Sequence, residues 1–341
     1  MKIEIEDDLD LDKIAESGQC FRWKKIDEGK YLIPAFGRFV IAGLFDEDGK
    51  KPLELSCDEK EFDEIWKDYF DFGTSYTGIR KKIDASDLFL KNSAEAGKGI
   101  RILRQDPFET LISFIVSQRK NIPAIESAVE RLSKTYGHVV GEYEGEEIYS
   151  FPTIVELQRM HCPKYDSKDA DEKKGMDVDE KFIKCPYKEK GFDSCGLGYR
   201  LPYIKKTVGE IDKEAEQFSA EAFSEIDGSI KSDQSTISDH KMESEQSAEV
   251  NKNIDKYLEY LQSLDDDSLR EKLLSFHGVG IKVASCTMLF GFHRLNDFPI
   301  DVWMKRALAE HYPDGFPFDK YAPFNGVMQQ YIFAYYRAMN K

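Results

Sequence analysis

Cysteine motifs and long apolar runs are scarce in this sequence, and each scarcity excludes a class of protein. The 341 residues include six cysteines, and none of them forms a CxxC pair. A dense disulfide scaffold, a standard zinc motif and a four-cysteine iron–sulfur pattern are therefore excluded. No apolar run approaches the roughly 18 residues of a membrane span, and the acidic start MKIEIEDDLDLDKI lacks the apolar core of a secretory signal. We expect a cytoplasmic protein with free thiols and no membrane partner.

Positive charge is also in short supply. Lysine and arginine number 48 against 64 acidic residues, which gives a net charge of −16. A generally basic surface of the kind that binds polyanions is excluded, although a local basic patch is not. Residues 219–250 hold eight acids and two lysines, so this segment alone contributes −6. The total charge therefore says little about any single face of the protein.

The period of the apolar residues divides the chain into two parts. Residues 29–56 alternate short apolar runs with Gly and Asp, which is typical of antiparallel strands joined by hairpin turns. From about residue 60 the pattern becomes helical, and Asp106 before Pro107 marks a helix start. We predict an α+β fold with an N-terminal antiparallel β-sheet domain, residues 1–75, followed by an all-helical body, residues 76–341.

Two charged segments interrupt the helical pattern. Residues 163–190 and 219–250 are rich in charge, and the second is also rich in serine. We expect both to be solvated insertions and candidates for disorder. Four potential metal ligands lie near or within the first insertion, but their spacing fits no standard zinc pattern, so we expect no metal site. They are His161, Cys162, Cys185 and Cys195.

A helical hairpin is predicted over residues 268–292. Ser268 with Glu271 three residues later forms a capping-box pattern before LREKLLSF, and the turn HGVG leads into IKVASCTMLFGF. Gly278 and Gly280 permit a tight turn and close approach of another backbone. The unpaired N–H groups at the start of the second helix would then point out of the turn, where a phosphate could bind.

A lysine, a cysteine and an aspartate stand out in and after this hairpin. Lys282 lies in the first turn of an otherwise apolar helix, where burial of a charge costs free energy unless the group is paired, neutralised or chemically used. Cys286 lies four residues on and shares its helix face. Asp301 follows Pro299 at a predicted helix start. Taken singly, these are a surface-reaching lysine, a small core residue and a helix cap; the combination is far more specific.

Five stretches in order resemble the 8-oxoguanine DNA glycosylase/AP lyase family of the helix-hairpin-helix DNA glycosylase superfamily. They are SGQCFRW (17–23), RQDPFETLISFIVSQ (104–118), GLGYRLPYI (196–204), GVGIKVASC with PIDV (278–286 and 299–302), and NGVMQQYIF (325–333). The resemblance implies that residues 1–75 form a TATA-binding-protein-like domain. It also implies a DNA repair enzyme that flips 8-oxoguanine out of the duplex, excises it and cuts the strand through a Schiff base.

The resemblance assigns roles to individual residues. Lys282 is implied as the nucleophile and Asp301 as the essential carboxylate. The base pocket is implied to use the Gly18 carbonyl, which distinguishes 8-oxoguanine from guanine, with Cys286 and Phe333 on the two faces of the base and Gln329 on its Watson–Crick edge. The implied DNA contacts are Gly278, Gly280, Val283, Arg119, Asn121, Tyr199 and Arg200.

The sequence departs from the family pattern in the loop that fills the space left by the flipped base. Arg119 replaces an asparagine, and Ala124 replaces an arginine that reads the opposite cytosine. Because Ala124 has no hydrogen-bonding side chain, we predict a weaker preference for cytosine opposite the lesion.

The implied partner is double-stranded DNA containing an oxidised purine, bound by a monomer associated with the nucleoid, or in the nucleus if the source is eukaryotic. No cofactor is expected, and a monovalent cation held by hairpin main-chain carbonyls is the single ion suggested by the family. Two alternatives stay open: the same scaffold acting on an alkylated or ring-opened purine, and a non-catalytic DNA-binding hairpin module.

Overall fold

The computed structural model describes residues 1–45, 52–158, 193–226 and 239–340. The chain packs as two compact units. The first contains Met1–Val129, Val139–Ser150 and Gly280–Lys341, and the second contains Glu130–His138 and Phe151–Val279. The predicted boundary between residues 75 and 76 falls inside the first unit and stays a prediction. The predicted insertion 163–190 lies outside the described residues.

An antiparallel sheet forms the N-terminal part of the first unit, as the alternating pattern of residues 29–56 predicted. Its strand order is β1-β5-β4-β3-β2. Phe36 and Gly37 connect β3 to β4 with φ values of 50° and 67°, which is the mirror-image turn that matches the twist of a hairpin. The strand bounds are β1 Lys2–Ile3, β2 Lys24–Asp27, β3 Lys30–Ala35, β4 Arg38–Leu44 and β5 Leu53–Leu55.

Short helices cover one face of this sheet. The core between them contains Ile33 and Val40 from the sheet and Leu11, Ile14 and Trp66 from the helices. Burial of these large apolar side chains is the main stabilising contribution. These elements are α1 Leu11–Glu16, α2 Glu59–Glu61, a π-helical turn Phe62–Trp66 and α3 Lys67–Tyr69; helices α4 Tyr76–Arg80 and α5 Leu88–Ala96 follow in the chain, and α5 packs against the helix Asn325–Met339.

The helix predicted to start at Asp106 is the central element of the first unit. It spans Pro107–Ser117 (α6), and the Asp106 carboxylate accepts a hydrogen bond from the Glu109 N–H at 2.7 Å. Almost every side chain of α6 is buried. The helix packs against the helix Ile281–Phe290 (α12), which carries Lys282. The helix after α6 is α7 Ile122–Tyr136, and the last helices of this unit are α13 Val302–His311, α14 Phe318–Tyr321 and α15 Asn325–Met339.

The prediction of an all-helical body is wrong at one place. Strands β6 Val139–Tyr143 and β7 Glu146–Tyr149 form an antiparallel hairpin. Glu144 and Gly145 connect them with φ values of 52° and 81°. The sequence EYEGEEIY carries the matching signal, because a positive-φ turn with glycine between alternating residues favours a two-residue hairpin.

The second unit is helical in its described residues. Its helices are α8 Ile154–Gln158, α9 Arg200–Ile226, α10 Asp239–Ser263 and α11 Asp266–Ser275, with a 3₁₀ turn at Asp193–Gly196. Helices α9 and α10 pack along each other. Buried residues Ile204, Val208 and Ile211 recur on one face of α9, as helical periodicity requires.

Two predictions in this unit are corrected. Residues 219–226 and 239–250 are helical, so the expectation of a disordered insertion is wrong for them; residues 227–238 lie outside the described part. Alanine and glutamate favour helix, and extension of an already packed helix adds little nucleation cost. The predicted capping box is also wrong, because the cap of α11 is Asp265, which accepts from the Ser268 N–H at 2.9 Å.

Among the described helices, none is long and apolar enough to cross a membrane.

Candidate active site

Lys282 lies in the first turn of α12, and its side-chain nitrogen contacts residues of α6. The side chain is partly buried, whereas residues 283 to 290 of the helix are fully buried. Its Nζ donates to the Ser117 Oγ at 3.2 Å and lies 4.8 Å from the centre of the Phe114 ring. Ser117 is fixed in turn because its hydroxyl donates to the Phe114 carbonyl at 2.7 Å. Both partners come from α6, so the packing of α6 on α12 positions the amine.

Cys286 lies one helical turn beyond Lys282 and is buried. Burial raises the pKa of its thiol to about 11, although the nearby Lys282 acts in the opposite direction. The thiol is therefore protonated at neutral pH. A neutral, polarizable sulfur suits contact with the flat face of an aromatic ring.

Asp301 is the N-cap of α13, as predicted. Its carboxylate accepts a hydrogen bond from the Met304 N–H at 2.8 Å. This bond holds the side chain in one orientation at the helix N-terminus, where the helix dipole favours negative charge.

One small pocket collects the predicted catalytic and base-binding residues. It is lined by Lys282, Asp301, Gly18, Cys286, Gln329 and Phe333, and its apolar walls include Phe114 and Phe290. Its volume is about 40 Å³.

Gly18 lines this pocket in a conformation that favours glycine. Its φ is +76°, and a Cβ at this position would lie 3.5 Å from the Phe333 ring and 3.3 Å from Ile122 Cδ1. The main chain of Gly18 therefore lies directly against the phenyl ring. The neighbouring Gln19 holds the loop in place, because its buried amide donates to the Arg101 carbonyl and accepts from the Leu103 N–H.

Helix α15 contributes a row of three residues to the pocket. Gln329 and Phe333 are four residues apart and share a face, as predicted. Gln330 was not predicted from the sequence, yet it also lines the pocket and is buried. Its Nε2 donates to the Gln329 Oε1 at 3.2 Å. Its spacing of three from Phe333 was the signal that could have identified it.

The loop between α6 and α7 carries two of the predicted DNA contacts of the first unit. Arg119 is exposed and has a φ of 54°, a conformation that most residues other than Gly, Asn and Asp avoid. Asn121 accepts from the Ala124 N–H through its Oδ1 at 3.1 Å. Its amide thus caps α7, while Arg119 stands at the loop tip.

The start of α12 leaves main-chain donors uncapped by any side chain. Gly280 is the N-cap residue and supplies no capping group, so the first N–H groups of the helix remain available to a ligand. Val283 is buried. Any contact it makes with DNA therefore uses its N–H and not its side chain.

Gly278, Tyr199 and Arg200 belong to the second unit, where Gly278 and Tyr199 lie against Tyr203 and Arg200 lies against Tyr199. Gly278 has a φ of +80°, and a Cβ there would lie 2.6 Å from the Tyr203 Cβ. Tyr199 packs edge-on against the same ring at 5.9 Å and is 40% exposed. The Arg200 guanidinium lies 4.4 Å from the Tyr199 ring centre and donates to the Leu197 carbonyl. Of Tyr199 and Arg200, Tyr199 is thus the more accessible residue, since Arg200 is buried.

Within the described ranges, no group of three His, Cys, Asp or Glu side chains is arranged to hold a metal ion. Cys195, the described member of the four potential ligands, is buried and lies 3.5 Å from the Thr135 hydroxyl. His161, Cys162 and Cys185 lie outside the described residues.

Comparison with known proteins places this chain in a family. Residues 2–111 match the family "8-oxoguanine DNA glycosylase, N-terminal domain". The Saccharomyces cerevisiae N-glycosylase/DNA lyase is 31% identical over 322 residues, which cover 89% of this chain and 69% of that protein. The Clostridium acetobutylicum 8-oxoguanine glycosylase/lyase, solved with double-stranded DNA containing cytosine opposite 8-oxoguanine, is 30% identical with a TM-score of 0.70 and coverage of 100% and 99%. MBOgg1 bound to a low-affinity DNA ligand is also 30% identical, with a TM-score of 0.71 and coverage of 99% and 95%. The chain belongs to the 8-oxoguanine DNA glycosylase/AP lyase family, as its motifs predicted.

Proposed function

We propose that this protein excises 8-oxoguanine from double-stranded DNA and then cuts the strand at the resulting site. It is a bifunctional DNA glycosylase and AP lyase of base excision repair. The observation that supports this function best is the shared pocket, in which the Lys282 amine and the Asp301 carboxylate accompany the four proposed base contacts. A DNA-binding module without catalysis has no need of this pair.

The chemistry begins after the lesion leaves the stack, because the sugar carbon C1′ cannot be attacked inside the duplex. The Lys282 Nζ forms a bond to C1′ while the bond from C1′ to the base nitrogen breaks, and the base departs with that electron pair and takes up the proton that Nζ loses. Opening of the sugar ring gives an imine between Lys282 and C1′. The imine acidifies the C2′ hydrogen; its removal expels the 3′ phosphate oxygen and cuts the strand.

Asp301 acts on the charge that develops in this step. As the base leaves, positive charge grows on the sugar, and a fixed carboxylate stabilises it without reorganising. The hydrogen bond from Met304 supplies the fixed orientation.

Recognition of the lesion uses the hydrogen at N7. Guanine has an acceptor there, whereas 8-oxoguanine has a donor. A carbonyl at Gly18 accepts from the lesion and repels the lone pair of the normal base. Cys286 and Phe333 cover the two faces of the base, and the Gln329 amide, which carries both donor and acceptor, pairs with its Watson–Crick edge.

The remaining proposed contacts hold the DNA. The uncapped N–H groups near Gly280 and Val283 bind phosphate, with Gly278 permitting the turn. Arg119 and Asn121 are the DNA contacts of the first unit, and Tyr199 and Arg200 are those of the second. We infer no cofactor, since the amine and carboxylate account for each step, and we assign a monovalent cation at hairpin carbonyls as the one candidate ion. The protein acts as a monomer where DNA is kept, in the nucleoid or the nucleus.

A panel of defined duplexes tests the choice of lesion. Single-turnover base release is measured for 8-oxoguanine, guanine, 3-methyladenine and a ring-opened purine. Release of 8-oxoguanine is expected to exceed release of guanine by at least about a thousandfold, since guanine lacks the N7 donor and meets a repulsive carbonyl. Faster release of the alkylated base than of 8-oxoguanine would contradict the proposal.

Ala124 leads to a prediction about the base opposite the lesion. Excision rates opposite C, A, G and T are expected to agree within about tenfold, because no arginine at position 124 makes the bidentate contact that discriminates bases by about 1–3 kcal/mol. Ala124→Arg is expected to increase the preference for cytosine. Ser127→Arg adds the same charge to an exposed position of α7 and serves as the control. A steep cytosine preference in the wild type would contradict this prediction.

Gly18→Ala tests the close approach of the backbone to the base. The change is expected to reduce 8-oxoguanine release at least about tenfold, because a methyl group occupies the space beside Phe333 and the positive φ costs about 1–2 kcal/mol. Gly37→Ala is a matched control, since Gly37 has a φ of +67° but no atom within 4 Å of a built Cβ. It is expected to lose similar stability and to keep its activity. Equal excision by both variants would argue against a role for Gly18.

A further inference from the structure

We propose that Gln330 is a second base-reading residue, whose side-chain carbonyl accepts a hydrogen bond from the 2-amino group of a guanine-derived lesion. The inference rests on the proposed function and adds a specificity determinant beside Gln329. It also narrows the substrate class to oxidised purines that keep the 2-amino group.

The first observation is an unpaired polar atom in the pocket wall. Gln330 is 3% exposed and lines the same pocket as Lys282 and Asp301. Within the described part of the chain, no donor lies within hydrogen-bond distance of its Oε1. Buried acceptors are nearly always paired, so an unpaired one beside a ligand pocket indicates that the ligand supplies the donor.

The second observation is the bond between the two glutamines. The Gln330 Nε2 donates to the Gln329 Oε1 at 3.2 Å. This bond fixes the direction of the Gln329 amide, while the second lone pair of that oxygen and the Gln329 NH₂ group stay available for a ligand. Gln329 is then prepared to act as both acceptor and donor.

The hydrogen-bonding groups of the base divide between these two side chains. On its Watson–Crick edge, 8-oxoguanine presents the acceptor O6, the donor N1–H and the donor 2-amino group. One amide pairs with two adjacent groups, so Gln329 matches O6 and N1–H. The 2-amino group is left over, and the free Oε1 of the next residue supplies the missing acceptor. Gln330 is also three residues before Phe333, which places both on the face of α15 that lines the pocket.

The side chains of Lys282, Cys286 and Asp301 are less suited to this contact. Lys282 offers only donors, and the thiol of Cys286 is protonated and a weak acceptor. Asp301 is engaged by the Met304 N–H and serves the sugar. Gln330 therefore offers a neutral acceptor. A base that donates a hydrogen bond to its Oε1 pairs an atom that is otherwise unpaired.

A cycle of two changes tests the proposal. One change removes the 2-amino group from the base by replacing 8-oxoguanine with 8-oxohypoxanthine, and the other is Gln330→Met, which keeps the length of the side chain and removes its carbonyl. Single-turnover excision is measured for all four combinations opposite cytosine. The wild type is expected to prefer 8-oxoguanine by about tenfold, the factor that one net hydrogen bond supplies, and Gln330→Met is expected to bring this ratio close to one.

Gln329→Met is the matched control. Because Gln329 reads O6 and N1–H, which both bases carry, this variant is expected to slow both lesions and to keep the wild-type ratio. Gln330→Leu is measured in parallel, with thermal unfolding of each variant, so that a folding defect of one substitution is recognised.

Three results would overturn the inference: a wild-type ratio below about twofold, a ratio that survives both Gln330 substitutions, or loss of the ratio in Gln329→Met instead. Failure of the proposed function gives a different pattern, because the wild type would then not release 8-oxoguanine at all.

Discussion

Replacement of Lys282 by glutamine is expected to lower 8-oxoguanine release by at least about a thousandfold, or about 4 kcal/mol of transition-state free energy. The amide keeps much of the side chain's length and its contact with Phe114 but cannot form an imine. Because the amine is needed for both steps, release of the base and strand cutting are expected to disappear together. The measurement is single-turnover release of the base and cleavage of the labelled strand from one duplex.

Lesion binding by this variant is expected to change much less than its activity. Lys282 is part of the pocket but not of the predicted phosphate contacts, and its helix is held by burial of residues 283 to 290. Lys60→Gln is the control for loss of one positive charge, since Lys60 is exposed on the N-terminal sheet domain with an 81% accessible side chain. A Lys282→Gln enzyme that still releases the base at near the wild-type rate would show that water is the nucleophile.

Two substitutions of Asp301 are expected to distinguish the catalytic role of its charge from its structural role as a helix cap. Asp301→Asn should reduce base release about a hundredfold, or about 2.7 kcal/mol, because the fixed negative charge is lost. Stability should change by less than about 0.5 kcal/mol, since asparagine and aspartate cap helices equally well. Asp301→Ala loses the bond from Met304 as well and should cost about 1 kcal/mol in unfolding free energy.

A second helix cap serves as the control for this pair. Asp58 caps α2 by accepting from the Glu61 N–H at 2.8 Å and is exposed, and it is remote in sequence from the pocket residues. Asp58→Ala is expected to lose about 1 kcal/mol of stability and to keep its activity. If Asp301→Asn retains full activity while Asp301→Ala loses it, the carboxylate acts as a cap alone.

Much of the pocket could be predicted from the sequence because most of its residues lie in short sequence motifs. Lys282 and Cys286 are four apart on one helix, and Asp301 carries a local capping signal, so each position has a sequence-level reason. The cap of α6 at Asp106 was predicted on the same basis and is confirmed. Gln329 and Phe333 share a helix face by their spacing, but their roles in a base pocket were implied by the family resemblance, since spacing alone is weak evidence.

The remaining parts of the site depend on contacts that no local pattern encodes. Ser117 receives the Lys282 hydrogen bond across 165 residues of sequence, and the unpaired Gln330 oxygen is defined only by what surrounds it. The capping box predicted at Ser268 is absent for a different reason. Asp265, three residues earlier, is also a good capping residue, and it accepts the hydrogen bond from the Ser268 N–H. Residues 219–226 and 239–250 are helical despite their charge, because alanine and glutamate have high helix propensity.

The central claim is that the Lys282 amine forms a covalent bond with the sugar from which the base has left. Reduction with borohydride during reaction with an 8-oxoguanine duplex converts the imine into a stable amine, and peptide mass spectrometry then locates the attached sugar. The account predicts a protein–DNA adduct carried by Lys282 and absent from Lys282→Gln. An adduct on another amine, or efficient base release with no adduct, would contradict it.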